Sequence, residues 1–598
     1  MALRKSILLS MAAISGLLGG CGGGGGGTAP VITPPPPQPT PEPPPQSIHF
    51  LQRNETFSAA GITASVTVDK NSGHASGGSI SPASFTISYD AASESYTITK
   101  PGHSSTFSRS DTRSSSRDTF AIYKKDGASS NEQLILLRTF LENGAANTQY
   151  VAVGMWQRNT VHANTTDTLF ETFVYGFETP VTAVPRTGVA SYWLDVFGLT
   201  TAPGMEPKYI GGHAVLGVDF AAGVFSLSAT PYGLNFPTNR VNGDDPFDLQ
   251  SVGKLSSTDG TLSGPVSFNG ATGQMYGTLS GRFYGPDAKE VGATFSATNE
   301  NGSTVTGGFS GSGSPNYPDR SLTLTNPGPY LNARLDSAVM FLNPAINNQG
   351  IEEGFSANLF RFNNGTIHSS ANGTVNVTPG GGYHSVGSIE PEFIVETNNP
   401  NFTVYEKTVD GQKDRVSLHK PGPQNTQLNL TYSNFGQWQT ASEDESFDDN
   451  RMRAFFAYGV QTPDWALSAR TGSARYSGIV YAAGANRETL THYAVTGTSH
   501  FNVDFSDKNY SGNLILFGTP ANGGSRIDFG NYNFDGKLGS SNSLTANLRQ
   551  SGSEHGHIQA RFYGPTAEEI AGSFTLTVAP GNPGAGTAIA GATAARKN

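Results

Sequence analysis

The sequence predicts an all-β protein made of two related lobes. Its 598 residues include 73 glycines and 36 prolines, and they are 10% aromatic but only 14% charged, a composition typical of many short strands joined by tight turns. Apolar and polar residues alternate in short runs such as Ser84–Tyr89 and Ser573–Val578, as expected for strands that bury one face. A long internal duplication accounts for the second lobe. Many short antiparallel strands favour closed barrels, which leave no sheet edge exposed.

The composition also excludes several classes of protein. A net charge of −10 removes the electrostatic basis for nucleic acid as the main ligand. The aromatic and hydrophobic content is too high for a disordered tail protein, because such residues drive burial in a core. After residue 20, no apolar run has the length of about 20 residues that a membrane-spanning helix needs.

The N-terminus predicts a secreted lipoprotein. Arg4 and Lys5 precede the apolar stretch Ser6–Leu18, which is followed by Leu18-Gly19-Gly20-Cys21, so residues 1–20 read as a signal peptide. The last four residues resemble the lipobox of bacterial lipoproteins, which implies cleavage before Cys21 and its acylation. Since Cys21 is the only cysteine, the mature lobes would contain no disulfide. An ordinary secreted protein with a free thiol is the alternative.

Residues 21–46 form the predicted lipidated linker. Six consecutive glycines, Gly22–Gly27, make a flexible hinge, and the run Pro34–Pro45 makes a polyproline II spacer. At about 3.1 Å per residue, residues 30–45 could extend on the order of 50 Å. The folded part would thus stand away from a membrane on a stalk.

The rest of the chain is one unit used twice. The clearest pair is Arg-Phe-Tyr-Gly-Pro-x-Ala-x-Glu, which begins at Arg282 and again at Arg561 and in each copy continues to a phenylalanine. Strand geometry predicts that the phenylalanine after each arginine faces the opposite side from its two neighbours. The repeat-motif residues are Phe283, Tyr284, Gly285, Pro286, Glu290 and Phe295, and Phe562, Tyr563, Gly564, Pro565, Glu569 and Phe574.

Further matches keep nearly the same spacing. Tyr150, Gly154 and Trp156 recur as Tyr432, Gly436 and Trp438, and Val218-Asp219-Phe220 recurs as Val503-Asp504-Phe505. Trp156 and Trp438 are predicted to lie in barrel cores rather than to act as sugar platforms. Lys100-Pro101-Gly102 also matches Lys420-Pro421-Gly422, at a larger offset.

The paired motif resembles the closing hairpin of the barrel domain in transferrin-binding protein B and its relatives, which are surface lipoproteins of Gram-negative bacteria. The resemblance covers roughly residues 47–578. It implies two lobes, each a β-rich handle domain beside an eight-stranded antiparallel β-barrel, and a non-enzymatic protein that binds a host iron or haem carrier and delivers its cargo to a partner outer-membrane receptor. It carries over no ligand-contact residue, because the motif positions are structural.

These patterns predict seven segments along the chain. They are a signal peptide (1–20), the lipidated linker (21–46), an N-lobe handle with a basic insertion (47–146), an N-lobe barrel (147–300), an inter-lobe linker with the C-lobe handle (301–426), a C-lobe barrel (427–578) and a disordered tail (579–598).

The candidate partner-binding surface lies where the lobes differ. Gly102 precedes Tyr150 by 48 residues, whereas Gly422 precedes Tyr432 by only 10, so the N-lobe is predicted to carry an insertion exposed at the surface. The segment is basic in a protein short of positive charge and could steer an acidic partner; a solvated, mobile loop is the alternative. Its basic residues are Arg109, Arg113, Arg117, Lys124 and Lys125.

No catalytic residue, metal site or cofactor is predicted. The sequence contains neither a His-Glu-x-x-His motif nor a P-loop nor a dinucleotide-binding glycine pattern. His555 and His557 are two apart and would share a strand face, but they have no third ligand nearby in sequence.

The favoured interpretation is a lipid-anchored protein of the Gram-negative outer membrane, exposed at the cell surface, that binds an extracellular iron- or haem-carrying protein for nutrient acquisition. A binding lipoprotein for a small solute, haem or glycan, which would use loops at the barrel mouths, remains open. A secreted lipoprotein enzyme is the third alternative.

Overall fold

The computed structural model describes residues 47–113, 120–137, 148–235, 240–314, 321–326, 330–346, 352–370, 374–381, 388–442 and 452–598. The predicted signal peptide, Cys21, the linker and Arg117 lie outside these residues. The regular secondary structure of the described residues is almost entirely strand, in four sheets, and the predicted all-β, bilobed fold is confirmed. In this part of the chain, no helix combines the length and hydrophobicity needed to cross a membrane.

The first sheet, the N-handle, has eight antiparallel strands in the order β4-β3-β2-β1-β8-β7-β6-β5. The sheet is rolled, since its two edges meet: the Arg113 N–H donates to the Ile122 carbonyl at 2.7 Å, and the Phe107 and Tyr123 rings lie 6.4 Å apart. The strands are β1 (Glu55–Asp69), β2 (Ala75–Asp90), β3 (Ser95–Lys100), β4 (His103–Phe107), β5 (Phe120–Asp126), β6 (Ser130–Leu137), β7 (Val151–Val161) and β8 (Thr165–Gly176).

The second sheet, the N-barrel, closes because β11 pairs with both β10 and β14. Eight strands form the ring, and the hairpin β12–β13 extends from β10. Its strands are β9 (Val189–Thr201), β10 (Lys208–Asp219), β11 (Val224–Ala229), β12 (Tyr232–Asn235), β13 (Arg240–Pro246), β14 (Asp248–Leu255), β15 (Leu262–Gly270), β16 (Gly273–Tyr284), β17 (Glu290–Thr298) and β18 (Thr304–Gly313).

The third sheet, the C-handle, repeats the N-handle order with one added edge strand: β22-β21-β20-β19-β27-β26-β25-β24-β23. Its strands are β19 (Tyr330–Ile346), β20 (Glu352–Ser370), β21 (Val375–Thr378), β22 (Ser388–Ile389), β23 (Ile394–Val395), β24 (Phe402–Val409), β25 (Gln412–His419), β26 (Ser433–Ser442) and β27 (Met452–Gly459).

The fourth sheet, the C-barrel, is a closed ring of eight strands in sequence order, preceded by the short helix α1 (Asp464–Ser468). Its strands are β28 (Ser473–Asn486), β29 (Thr491–Asp504), β30 (Asn509–Pro520), β31 (Ile527–Lys537), β32 (Leu544–Gln550), β33 (Ser553–Tyr563), β34 (Glu569–Thr577) and β35 (Ala588–Lys597). Short 3-10 turns lie at Arg109–Asp111, Val181–Ala183, Pro286–Ala288 and Pro391–Phe393.

The prediction of a disordered tail over residues 579–598 is wrong. Strand β35 pairs with β28 and β34 and closes the C-barrel. Its residues are mostly alanine and glycine because the neighbouring strands leave little room: a Cβ at Gly591 would lie 2.4 Å from the Ala482 Cβ and 2.7 Å from the Phe574 ring. The C-barrel therefore extends to residue 597 rather than 578.

The predicted starts of both barrels, residues 147 and 427, are also wrong. The strands that carry Trp156 and Trp438, β7 and β26, belong to the handles, and both indoles are buried in handle cores. The barrels begin at β9 and β28. Apolar and polar residues alternate in the same way along handle strands and barrel strands, so the sequence pattern does not distinguish the two kinds of domain.

The predicted basic insertion in the N-handle is wrong as well. The hairpin β5–β6 has its counterpart in β24–β25, and 12 residues precede each hairpin, 108–119 and 390–401. Lys100-Pro101-Gly102 turns from β3 into β4, whereas Lys420-Pro421-Gly422 follows β25. The two tripeptides are therefore not equivalent, and the two handles have similar lengths here.

The repeat motif packs each barrel against its handle. Phe283 and Phe562 point into the barrel cores, while Tyr284 and Tyr563 lie on the opposite strand face, packed with handle residues. Phe295 and Phe574 are also barrel-core residues. A Cβ at Gly285 would lie 2.4 Å from the Tyr150 ring, so the turn before Pro286 and Pro565 must be glycine to let the handle approach.

Both motif glutamates act as acceptors for the handle backbone. Glu290 accepts the N–H groups of Gln149, Tyr150 and Val151 at 2.7, 2.8 and 3.1 Å. Glu569 accepts three consecutive N–H groups, those of residues 431–433, at 2.6, 3.0 and 2.7 Å. Each carboxylate thus accepts the backbone N–H groups at the start of β7 or β26 in place of carbonyls from a neighbouring strand.

Candidate functional site

The basic residues predicted to bind a partner lie along the seam where β4 meets β5. Arg109 pairs with Glu94 at 3.2 Å and Lys124 with Asp126 at 3.2 Å. Arg113 donates to backbone carbonyls, and the Lys125 Nζ lies 5.0 Å from the centre of the Phe107 ring. Their charges are therefore interleaved with carboxylates, and contact with an acidic partner stays a prediction.

A different charged group occupies the interior of the N-handle. The hairpins β1–β2, β3–β4, β5–β6 and β7–β8 all turn at one end of this antiparallel sheet. Alternation along the strands places five charged or titratable side chains inside the roll near that end. We call this cluster the N-handle mouth: Lys100, His103, Glu132, Arg158 and Glu171.

Glu171 is the buried centre of the cluster, with no exposed side-chain surface. Its Oε1 accepts hydrogen bonds from the Lys100 ammonium, from Arg158 Nη2 at 3.0 Å and from the Thr63 hydroxyl at 3.4 Å. Lys100 and Arg158 remain 19% and 16% exposed, so the two cations lie between the buried carboxylate and solvent.

Trp156 lies next to this carboxylate, directly opposite Glu171 on the neighbouring strand. Its ring stacks with the His103 ring at 5.1 Å, and the Arg158 guanidinium lies 4.7 Å from its ring centre. His103 Nε2 is 3.2 Å from Glu132 Oε1. The tryptophan thus links the Arg158–Glu171 pair to the His103–Glu132 pair.

Four polar atoms of this network are buried without a hydrogen-bond partner in the described structure: two donors, Trp156 Nε1 and Arg158 Nε, and two acceptors, Glu132 Oε2 and Glu171 Oε2. A buried polar atom left unpaired costs about 1–3 kcal/mol, and such atoms mark places where water or a ligand completes the bonding. Lys100 and Thr63 also border a groove of about 640 Å³ between the N-handle and strands β16 and β17. Of the five cluster residues, Lys100 is the one that lines this groove.

The C-handle lacks this cluster although its backbone is equivalent. Trp156 faces Glu171 across the ladder, whereas Trp438 faces Ala454. The position of Arg158 is occupied by Thr440. Asp414 takes the place of Glu132 and accepts the Trp438 indole N–H at 2.9 Å. The indole N–H of the equivalent tryptophan thus has an acceptor in the C-handle, whereas that of Trp156 has none in the described N-handle.

Sequence reasoning missed the N-handle mouth. The available signal was a charge two residues from a buried aromatic on the same strand face, as Arg158 is from Trp156 and Glu171 from Phe173. The duplicated copy has neither charge at these positions, and that contrast would have singled them out.

The structure does not bring His555 and His557 into a common site. A bulge in β33 leaves His555 outside the strand register, and its ring contacts Tyr532 at 6.0 Å. Burial, followed by the nearby charge of Arg361, lowers the pKa of His557. Within the described ranges, no group of three or more His, Cys, Asp or Glu side chains could hold a metal ion.

Comparisons with known proteins agree with the architecture. The family model for the C-lobe and N-lobe beta barrels of Tf-binding protein B matches residues 469–597, which span the C-barrel. The resemblance to transferrin-binding protein B is thereby confirmed. No curated protein matches the chain.

Two solved structures of transferrin-binding protein B are similar over most of their length. A double mutant of the vaccine antigen from Haemophilus parasuis Hp5 has 15% identity and a TM-score of 0.27, covering 76% of this chain and 85% of that chain. The isotype 1 protein from serogroup B Neisseria meningitidis has 16% identity and a TM-score of 0.23, covering 77% and 89%. At these TM-scores, no residue role is transferred to this chain.

Proposed function

We propose that this transferrin-binding-protein-B-like chain is a lipid-anchored surface protein of the Gram-negative outer membrane. It binds an extracellular iron- or haem-carrying protein through the N-handle mouth and passes the cargo to a partner receptor, without catalysing a reaction. The single observation that carries the proposal is the N-handle mouth itself, a charged cluster with unpaired donors and acceptors that the duplicated C-handle lacks. The family match and the sequence of the anchor supply the context.

The geometry favours a protein surface as ligand. Unpaired atoms of both types, at the end of a rolled sheet with four hairpins around it, suit the mixed polar groups of a partner loop. The barrel interiors, by contrast, are filled by side chains, so neither described barrel lumen offers a solute cavity.

The test is binding of an acyl-free chain, residues 46–598, to iron-loaded and iron-free transferrins, haemoglobin and free haem. We expect saturable, cargo-dependent binding to one of the proteins. The double variant Arg158→Thr with Glu171→Ala gives the N-handle the residues that the C-handle has at these two positions. It removes Glu171 together with one of its two cations, and the other, Lys100, is 19% exposed to solvent, which limits the cost to stability. It should weaken binding by at least about tenfold.

The matched control is Arg415→Thr with Glu406→Ala, which deletes an ion pair (2.6 Å) from the C-handle and should leave binding unchanged. Equal binding by wild type and the N-handle variant would reject the N-handle mouth as the site. Absence of binding to every carrier would reject the function, and binding of free haem alone would replace it with the solute alternative.

A further inference from the structure

A second site lies between the lobes. An open cleft of about 820 Å³ is bordered by the N-barrel, the C-handle and the C-barrel. Arg186 and Lys254 line it from the N-barrel side, and Arg596 and Glu568 from the C-barrel side. We call it the inter-lobe cleft. Its volume lies in the range typical of ligand pockets, roughly 300–1,000 Å³.

The carboxylates of the cleft are already engaged. Glu568 pairs with Lys254 at 3.4 Å and accepts the N–H and hydroxyl of Thr566 at 2.8 and 2.6 Å. Glu569 is used by three backbone N–H groups of the C-handle. Their lone pairs are thus occupied by these donors, and Lys254 is the cation that Glu568 pairs with.

The two arginines have only carbonyl partners. Arg186 donates to the carbonyls of Val181 and Ser257 at 3.3 and 3.2 Å, and Arg596 to that of Asn429 at 3.5 Å. Among the described residues, neither guanidinium forms an ion pair with a carboxylate. With Lys254 the lining contains three cationic side chains against the two carboxylates of Glu568 and Glu569. The cleft thus carries a small excess of positive charge in a chain of net charge −10.

A buried acceptor also borders the cleft. Asn429 Oδ1 is buried without a hydrogen-bond donor in the described structure. The hydroxyl-bearing side chains of Ser257, Thr325 and Thr431 line the same space. A bare anion would satisfy the arginines but not an orphaned acceptor, because it brings no donor.

We propose that the inter-lobe cleft binds an anionic oligosaccharide, whose sulfate or carboxylate groups pair with Arg186 and Arg596 and whose hydroxyl groups donate to Asn429. Guanidinium groups match such planar or tetrahedral oxyanions with two parallel hydrogen bonds. Since the cleft draws its arginines from different lobes, the ligand would also bridge the lobes.

The experiment is calorimetric titration of the 46–598 chain with a heparin-derived tetrasaccharide, sialyllactose, neutral lactose and sodium sulfate. We expect one of the anionic saccharides to bind, with an affinity that falls as salt rises, and neither lactose nor sulfate to bind comparably. Arg186→Ala and Arg596→Ala should each weaken binding by about tenfold or more. Arg549→Ala, an exposed arginine paired with Asp535 and Glu554, is the control.

Three outcomes would overturn the proposal: no binding of either anionic saccharide up to about 1 mM, equal binding of lactose or sulfate, or unchanged affinity in both cleft variants. Thermal melts of Arg186→Ala, which lies in an exposed loop, exclude loss of folding as the cause. Because the cleft variants leave the N-handle mouth intact, carrier-protein binding should be unaffected, so the two proposals can fail separately.

Discussion

The same motif arginine is buried in one lobe and exposed in the other, which gives a sharp stability prediction. In the C-lobe, Arg561 Nε and Nη2 donate to the two Asp336 oxygens at 2.7 and 3.2 Å, with 10% and 1% of the two side chains exposed. In the N-lobe, Arg282 meets Glu178 at 3.4 Å, with 43% and 44% exposed.

Removing the carboxylate partner of this arginine should therefore lower the free energy of unfolding much more in the C-lobe than in the N-lobe. Asp336→Ala leaves the Arg561 guanidinium buried and unpaired, which costs about 3–5 kcal/mol of unfolding free energy. Glu178→Ala removes a solvated ion pair worth about 0–1 kcal/mol. Replacing both buried partners, Asp336→Leu with Arg561→Met, should recover most of the loss, because no uncompensated charge remains.

The assay must resolve the lobes, because a chain with several domains does not unfold in one step. Hydrogen exchange measured by mass spectrometry on the 46–598 chain reports the opening free energy of each sheet separately. We expect Asp336→Ala to lower it in the C-handle and C-barrel while the N-lobe is unchanged. Equal effects of Asp336→Ala and Glu178→Ala, or a double variant no more stable than the single one, would refute the reasoning.

Three further predictions concern the handle–barrel joints and the C-handle core. Glu290→Gln keeps the size of the side chain but loses a charged acceptor for three N–H groups, so hydrogen exchange should show an opening free energy of the N-lobe about 2–4 kcal/mol lower. Burial lowers the pKa of His419 to about 4, so the stability contributed by its neutral form is present above about pH 6.5 and lost as the pH falls towards 4; in melts across this range, His419→Gln should show a shallower decline than wild type. Gly564→Ala should lower the melting temperature more than Gly472→Ala: both glycines have positive φ (86° and 77°), but only a Cβ at Gly564 would contact the Tyr432 ring, at 2.7 Å.

The fold was largely predictable because the sequence shows both the duplicated motif and the alternation of apolar and polar residues that is typical of strands. The motif around Phe283 and Phe562 placed one aromatic inside each barrel and one against each handle. Domain boundaries were not predictable, since handle strands such as β7 alternate in the same way as barrel strands. Strand β35 was missed because its alanines and glycines carry no hydrophobic signal, although the space beside Phe574 requires small side chains there.

The candidate site was less predictable for a different reason. Lys100, Glu132 and Glu171 come from three strands that meet only when the sheet rolls up, and no spacing along the chain records that closure. The basic residues near Arg109 stood out in the sequence because charge is scarce. In the structure, each of those described already contacts a carboxylate, a carbonyl or an aromatic ring of the N-handle. Scarcity of positive charge therefore pointed to the N-handle but not to the side chains of the N-handle mouth.

The two handles differ in how they satisfy the polar atoms around the same buried tryptophan. In the C-handle, Asp414 reaches the Trp438 indole and completes the core. In the N-handle, the longer Glu132 turns to His103 instead, and the Trp156 indole is left without an acceptor. A duplicated fold retains its core when polar atoms are satisfied internally, so four unpaired atoms at one equivalent place are a cost that scaffold function alone does not require. The proposed binding at the N-handle mouth would supply the missing partners and would account for why this lobe, and not the other, keeps its charges.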